Sequence, residues 1–223
     1  MPHSVLFVCQ ANVCRSPMMA YEFRSALDTV GDADGWAIAS CGTTASERAA
    51  ICSVCLDVLR DAHGHTAEAD AHISRSLAME SLAERDLVIV ASRVERAQVI
   101  QADLSVRTRT FTLREAIHLG AVRIETDGER AVLDRLEEQG SADLRDYAAV
   151  LNWRRGLVAL GRPGRLSFRW LPSRDPDPLD VPDDHHARMR AHRSMLRGLQ
   201  TDVRLFHTQL SRFLGAHNEV KRS

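Results

Sequence analysis

Four short apolar runs alternate with stretches that read as helices, and this alternation narrows the fold more than any other feature of the chain. The runs are VLFV at 5–8, WAIA at 36–39, LVIVA at 87–91 and TRTFT at about 108–112. They are unbroken or nearly so and rich in β-branched and aromatic residues, the pattern of strands buried on both faces. The helix-like stretches lie at about 17–29, 49–62, 78–84 and 93–102. Strand and helix taking turns in this way predict βαβ units, a four-stranded parallel sheet, right-handed crossovers and helices on both faces, a three-layer α/β/α fold. At 223 residues and 44% hydrophobic the chain can bury one substantial core, so a single domain over 1–223 is expected.

Beyond residue 115 the pattern loosens. AVLDRLEEQ and DYAAVLNWRRGLVAL read as helical between glycines, so 117–170 is a helical segment attached to the α/β unit. A proline-rich turn, LPSRDPDPLDVPDD, follows, and the chain closes on a long helix. There Leu196, Leu199, Val203, Phe206, Leu210 and Phe213 recur at spacings of three and four. Such a stripe packs on the sheet; a coiled-coil seam is the alternative.

A formal net charge of −1 and a pI near 6.8 give no basis for binding nucleic acid or a membrane surface. No apolar run approaches the ~18 residues that span a bilayer, and no secretory signal is legible, so the expected location is the cytoplasm. Five cysteines, an odd count, are read as reduced thiols. Lys221 is the only lysine; a chain rich in arginine and poor in lysine suggests a GC-rich bacterial source.

The chemistry concentrates in CQANVCRSP at 9–17. A loop between a parallel strand and the next helix lies at the carboxyl edge of the sheet, where ligands bind in such folds. Ser16-Pro17 reads as a helix start, serine as the N-cap and proline at the first helical position. Cys9 then faces the helix N-terminus, where the dipole and loop N–H groups favour an anion and a thiolate. Arg15 closes the loop with a planar fork suited to two phosphate oxygens. Asn12 tolerates the left-handed backbone that a tight cradle needs. Thiolate, oxyanion cradle and bidentate arginine together suit attack on a phosphate ester.

The stretch VLFVCQANVCRSPMMAYEF strongly resembles the N-terminal signature of the low-molecular-weight protein tyrosine phosphatases. SCGT at 40–43, HISRSL at 72–77, DLVIVASRVERAQV and RTFTLREA resemble further segments of that family, so the likeness covers about 4–116 and the Asp-Pro turn near 177. The resemblance implies that Cys9 is a nucleophile forming a phosphocysteine. It implies that Arg15 and the amides of Gln10, Ala11, Asn12, Val13 and Cys14 hold the phosphoryl oxygens, and that Ser16 hydrogen-bonds the thiolate. Asn12, Ser40 and His72 would keep the loop in shape, and Cys14 would form a protective disulfide with Cys9 on oxidation. An aspartate of an Asp-Pro turn would protonate the leaving oxygen and then activate water. SRDPDPLD offers Asp175 and Asp177. Asp177 is preferred because Pro176 precedes it and because it lies nearer the closing helix.

The family often has glycine at Ala11 and aromatic residues after the Asp-Pro turn, where Leu179 stands here. Tyr147, Trp153 and Trp170 are candidates for a different pocket wall, with core packing as the alternative. Cys52 and Cys55 form a lone Cys-x-x-Cys without a second pair, so they read as buried small residues and not as zinc ligands; His185 and His186 read as surface histidines. No metal or other cofactor is expected. The expected partners are a phosphorylated protein or small phosphate monoester, with inorganic phosphate as product. An arsenate reductase of the same fold and a non-catalytic phosphopeptide-binding protein are the alternative functions.

Overall fold

The computed structural model describes residues 2–46, 48–64, 67–122, 127–155, 177–185 and 188–218. Its strands are β1 (His3–Cys9), β2 (Trp36–Gly42), β3 (Leu87–Val90) and β4 (Thr110–Thr112). They form one parallel sheet in the order β2-β1-β3-β4. The helices are α1 (Arg15–Val30), α2 (Ser53–His63), α3 (Ala67–Asp70), α4 (Arg93–Ala102), α5 (Leu113–Ala121), α6 (Asp127–Gln139), α7 (Leu144–Arg154) and α8 (Met189–Asn218).

The unbroken apolar runs are buried on both faces, as their composition requires. Val5, Phe7, Leu87, Ile89 and Phe111 pack with Met18, Met19 and Phe23 of α1 and the apolar stripe of α8. Leu6, Val8, Val88 and Val90 turn to the other face, against Val99 of α4 and Val106. Leu196, Leu199, Val203, Phe206 and Leu210 are buried in this core. Phe213 is half-buried, and Leu214 takes the last buried place of the stripe.

Three helix boundaries differ from the sequence reading. The expected helix at 78–84 is two single 3₁₀ turns, Leu77–Met79 and Leu82–Glu84. Between them Glu80 is extended, and its buried carboxylate pairs with Arg85 at 2.6 Å and Arg75 at 3.3 Å. The second helix begins at Ser53, because Ala50 bridges Ile73 and Ala49 N–H donates to Ser74 Oγ. Helix α1 begins at Arg15 with Cys14 at the N-cap position, so neither Ser16 as cap nor Pro17 as first residue holds. The Ser16 hydroxyl is taken up inside the loop instead.

Strand order places the site. The chain steps from β1 to β2 on one side and then returns to β3 on the other, so the loops after β1 and β3 diverge from a common crevice at the carboxyl edge. The segment before α8 docks into that crevice: Val181 N–H donates to the Ala91 carbonyl at 2.8 Å.

Candidate active site

Cys9 ends β1 and is 3% exposed. Its Sγ accepts from Asn12 N–H at 3.3 Å and lies 3.1 Å from Ser16 Oγ. Asn12 has φ of 56°, the left-handed turn anticipated for the loop. Its side chain is fully committed. Nδ2 donates to Ser16 Oγ and Ser40 Oγ, each at 2.9 Å, while Oδ1 accepts from Arg75 N–H at 2.8 Å. His72 Nε2 donates to the Asn12 carbonyl at 2.9 Å, which fixes the tautomer; burial lowers the His72 pKa and favours its neutral form. Ser16 thus receives a hydrogen from Asn12 and keeps its own for Cys9 Sγ or the Cys41 carbonyl, both 3.1 Å away. A thiolate at Cys9 would draw that hydrogen toward itself.

Gly42, at the end of β2, permits this loop. A Cβ there would meet the Gln10 carbonyl at 2.5 Å and Ala11 C at 2.9 Å. The close approach lets Thr43 N–H and Thr44 N–H donate to the Cys9 and Gln10 carbonyls at 2.9 Å each. On the far side of the loop Cys52 N–H donates to the Val13 carbonyl at 2.8 Å.

A small cavity of about 180 Å³ is lined by loop residues between Cys9 and Arg15, with Thr44, Asp183 and His185. A larger hollow of about 900 Å³ lies across α1 and α8 and shares none of these residues. The small one, lined by Cys9 and Arg15, is the candidate site.

Arg15 is 5% exposed and held by carboxylates: Nη2 lies 2.6 Å from Asp183 and 3.3 Å from Glu95, and Nη1 donates to the Val181 carbonyl at 3.4 Å. Asp177, the aspartate preferred from the sequence, does not line the Cys9 cavity. Asp177 pairs with Arg93 and accepts from Leu179 N–H at 2.9 Å, in a neighbouring hollow, while the carboxylate lining the Cys9 cavity is that of Asp183. Docking of Val181 on Ala91 sets this register and brings Asp183, two residues on, to the loop. Asp175 lies outside the described residues. No Phe, Tyr or Trp ring lines the cavity among the described residues. Tyr147 is 3% exposed and packs against Phe206 and Phe213, Trp153 lies on Gly128 of α6, and Trp170 lies outside the described residues.

Thr44, Asp183 and His185 line this cavity and Glu95 pairs with Arg15; the sequence reading names none of them as candidates. The one available signal was distance along the chain: Asp183 lies closer to α8 than either Asp-Pro aspartate. Cys14 Sγ has partners other than Cys9. It lies 3.0 Å from His185 Nδ1 and hydrogen-bonds Cys52, an interaction that raises the Cys14 pKa and holds Cys52 well below the ordinary thiol range. His186 lies outside the described residues.

The sequence profile described as "Low molecular weight phosphotyrosine protein phosphatase" matches residues 4–139. No curated protein matches the chain. Among solved structures, a YwlE mutant from Bacillus subtilis is 19% identical with a TM-score of 0.59, the likeness covering 94% of this chain and 99% of that one. The YwlE arginine phosphatase from Geobacillus stearothermophilus is 17% identical with a TM-score of 0.60, covering 100% and 98%. The tyrosine phosphatase Wzb from Escherichia coli K30, in complex with sulphate, is 16% identical with a TM-score of 0.56, covering 94% and 99%. At these identities the structures speak for the fold, and the profile match over more than half of the chain for the family: the chain belongs to the low molecular weight phosphotyrosine protein phosphatases.

Proposed function

We propose that the chain hydrolyses phosphate monoesters, phosphotyrosine in proteins foremost, through a phosphocysteine on Cys9. The observation that carries this reading is the convergence on Cys9 Sγ of the Asn12 N–H at 3.3 Å and the Ser16 hydroxyl at 3.1 Å, beside the Arg15 guanidinium and the Asp183 carboxylate. The family's description supports phosphotyrosine as the substrate.

The loop amides from Gln10 to Arg15 and the Arg15 fork hold the phosphoryl oxygens. The Cys9 thiolate attacks phosphorus as the bond to the leaving oxygen breaks, and protonated Asp183 gives that oxygen its proton. Asp183, now a carboxylate, takes a proton from water as the water attacks the phosphocysteine. Phosphate leaves and the thiolate is restored. Glu95 and the Val181 carbonyl hold Arg15 in place throughout. Hydrolysis of a small aryl phosphate by the wild type and by Cys9→Ser tests the reading. Loss of activity in the variant is expected; a non-catalytic phosphopeptide-binding protein shows no turnover in either. Phosphoarginine, tried because the Geobacillus relative is an arginine phosphatase, supplies the competing substrate in the same assay. Faster turnover of phosphoarginine than of phosphotyrosine refutes the substrate assignment.

A further inference from the structure

The loop that holds Cys9 is also one wall of a second cluster. Cys14, Cys52, His185 and His192 each offer one ligand atom, and the four atoms lie within 4.8 Å of one another. They come from four separate segments: the loop after β1, the N-cap of α2, the loop before α8 and the first turn of α8. Cys14 and His192 are buried, at 5% and 3% exposed. The rings of His185 and His192 stand edge to face with centroids 5.4 Å apart.

His192 Nε2 is an independent sign that a ligand is called for. It is buried and has no hydrogen-bond partner among the described residues. Buried ring nitrogens are ordinarily satisfied, and His192 also brings a ring nitrogen within 4.8 Å of two sulfurs and a second imidazole. A proton cannot serve both imidazoles and both sulfurs, but one cation can.

We propose that Cys14, Cys52, His185 and His192 bind one divalent cation of the zinc class. Two thiolates and two imidazoles are a closed donor set for a tetrahedral, borderline-soft ion, with no coordination position left over for chemistry. Sulfur at about 2.3 Å and nitrogen at about 2.0–2.1 Å place tetrahedral ligand atoms roughly 3.3–3.8 Å apart. Here Cys14 Sγ and His185 Nδ1 are 3.0 Å apart and every separation is below 4.8 Å, so closing the cage takes small side-chain shifts. The metal displaces to solvent whatever protons the two sulfurs still carry. Cys14 and His185 also line the Cys9 cavity, which provides the entry path. Bound there, the cation fastens the loop carrying Asp183, and with it α8, to the phosphate loop and α2. It also occupies the Cys14 sulfur that the resemblance would pair with Cys9. The proposal does not depend on the phosphatase reading.

Cobalt(II) titration of the reduced full-length Cys9→Ser protein tests the site, since this background removes the other cysteine that lines the cavity. Saturation at one equivalent is expected, with the visible bands of tetrahedral cobalt, near-ultraviolet thiolate-to-metal absorption and displacement by one equivalent of zinc. Cys52→Ser and His192→Gln, each in that background, should weaken binding by more than about 100-fold, beyond the 10–100-fold that loss of a group merely hydrogen-bonded to a ligand costs. Cys41→Ser, on the opposite face of the sheet, should bind as its parent does. One equivalent of zinc should raise the Tm of the parent and leave that of His192→Gln unchanged. Absence of tetrahedral bands, or bands that survive His192→Gln with unchanged affinity, overturns the proposal. If Cys52→Ser fails to fold, His192→Gln alone decides.

Discussion

Replacing Asp183 by asparagine should produce two effects of opposite sign. The carboxylate lies 2.6 Å from Arg15 Nη2 in the cavity that Cys9 lines. As general acid its loss should lower kcat by about 10²- to 10⁴-fold, roughly 3–5 kcal/mol of barrier. The loss should be largest for phosphotyrosine and smallest for an activated aryl phosphate, whose leaving oxygen needs little help. In the resting site, however, Asp183 competes with phosphate for the guanidinium. The Asp183 side chain is 43% exposed, so the ion pair is worth no more than about 1 kcal/mol. Removing the charge should therefore tighten competitive inhibition by inorganic phosphate or vanadate by up to about fivefold. Asp177→Ala breaks the pair with Arg93, whose side chain is 56% exposed, and the hydrogen bond from Leu179 N–H, neither of which reaches Cys9, and should leave kcat for phosphotyrosine within about threefold of wild type. Steady-state kinetics on both substrates, with a phosphate inhibition series, read all of this. A large, leaving-group-dependent loss in Asp177→Ala, with Asp183→Asn near wild type, would refute the assignment of the acid.

Three further outcomes are expected. Phe206 is fully buried and packs against Phe23 and Tyr147 at ring distances of 5.8 and 6.4 Å, so Phe206→Ala should cost about 3–5 kcal/mol in urea unfolding; a loss below about 1 kcal/mol would deny α8 its place in the core. Burial holds the folded-state pKa of His72 and His207 below the ordinary 6.5; the unfolded chain then takes up protons first on acidification, so their stability contribution is present above 6.5 and lost as pH falls through the folded values. Tm should drop over that window, and the His72→Gln, His207→Gln double variant should drop less; an identical slope removes both from the effect. In metal-stripped protein with chelator present, mild peroxide should inactivate the wild type reversibly, and Cys14→Ser should recover less activity with dithiol; equal recovery would leave the protection of Cys9 to another thiol.

What was legible in the sequence was whatever is contiguous. The runs at 5–8 and 87–91 could be placed because double-sided burial leaves no polar residue within them. The loop from Cys9 to Ser16 could be read because strand, left-handed asparagine and helix start follow one another directly, although Ser16 proved to serve the thiol and not the helix end. Positions set by tertiary register were not legible. The two Asp-Pro pairs are the acid candidates that the resemblance implies, yet the backbone hydrogen bond from Val181 N–H to the Ala91 carbonyl sets a register in which Asp183 reaches Arg15. Glu95 sits on an ordinary-looking helix start and becomes a site residue only because β3 lies beside β1. The Cys-x-x-Cys spacing pairs Cys52 with Cys55 and says nothing of His192, which the fold brings beside Cys52 from a distant segment.

The central claim is a covalent phosphoryl group on one sulfur. Rapid acid quench of the enzyme during turnover of an aryl phosphate, followed by peptide mass spectrometry, tests it most directly. The account predicts one phosphoryl group on Cys9, present in the wild type, accumulating when its hydrolysis is slowed in Asp183→Asn, and absent in Cys9→Ser. Sustained turnover by Cys9→Ser, or a phosphoryl group carried by any other residue during wild-type turnover, would contradict it.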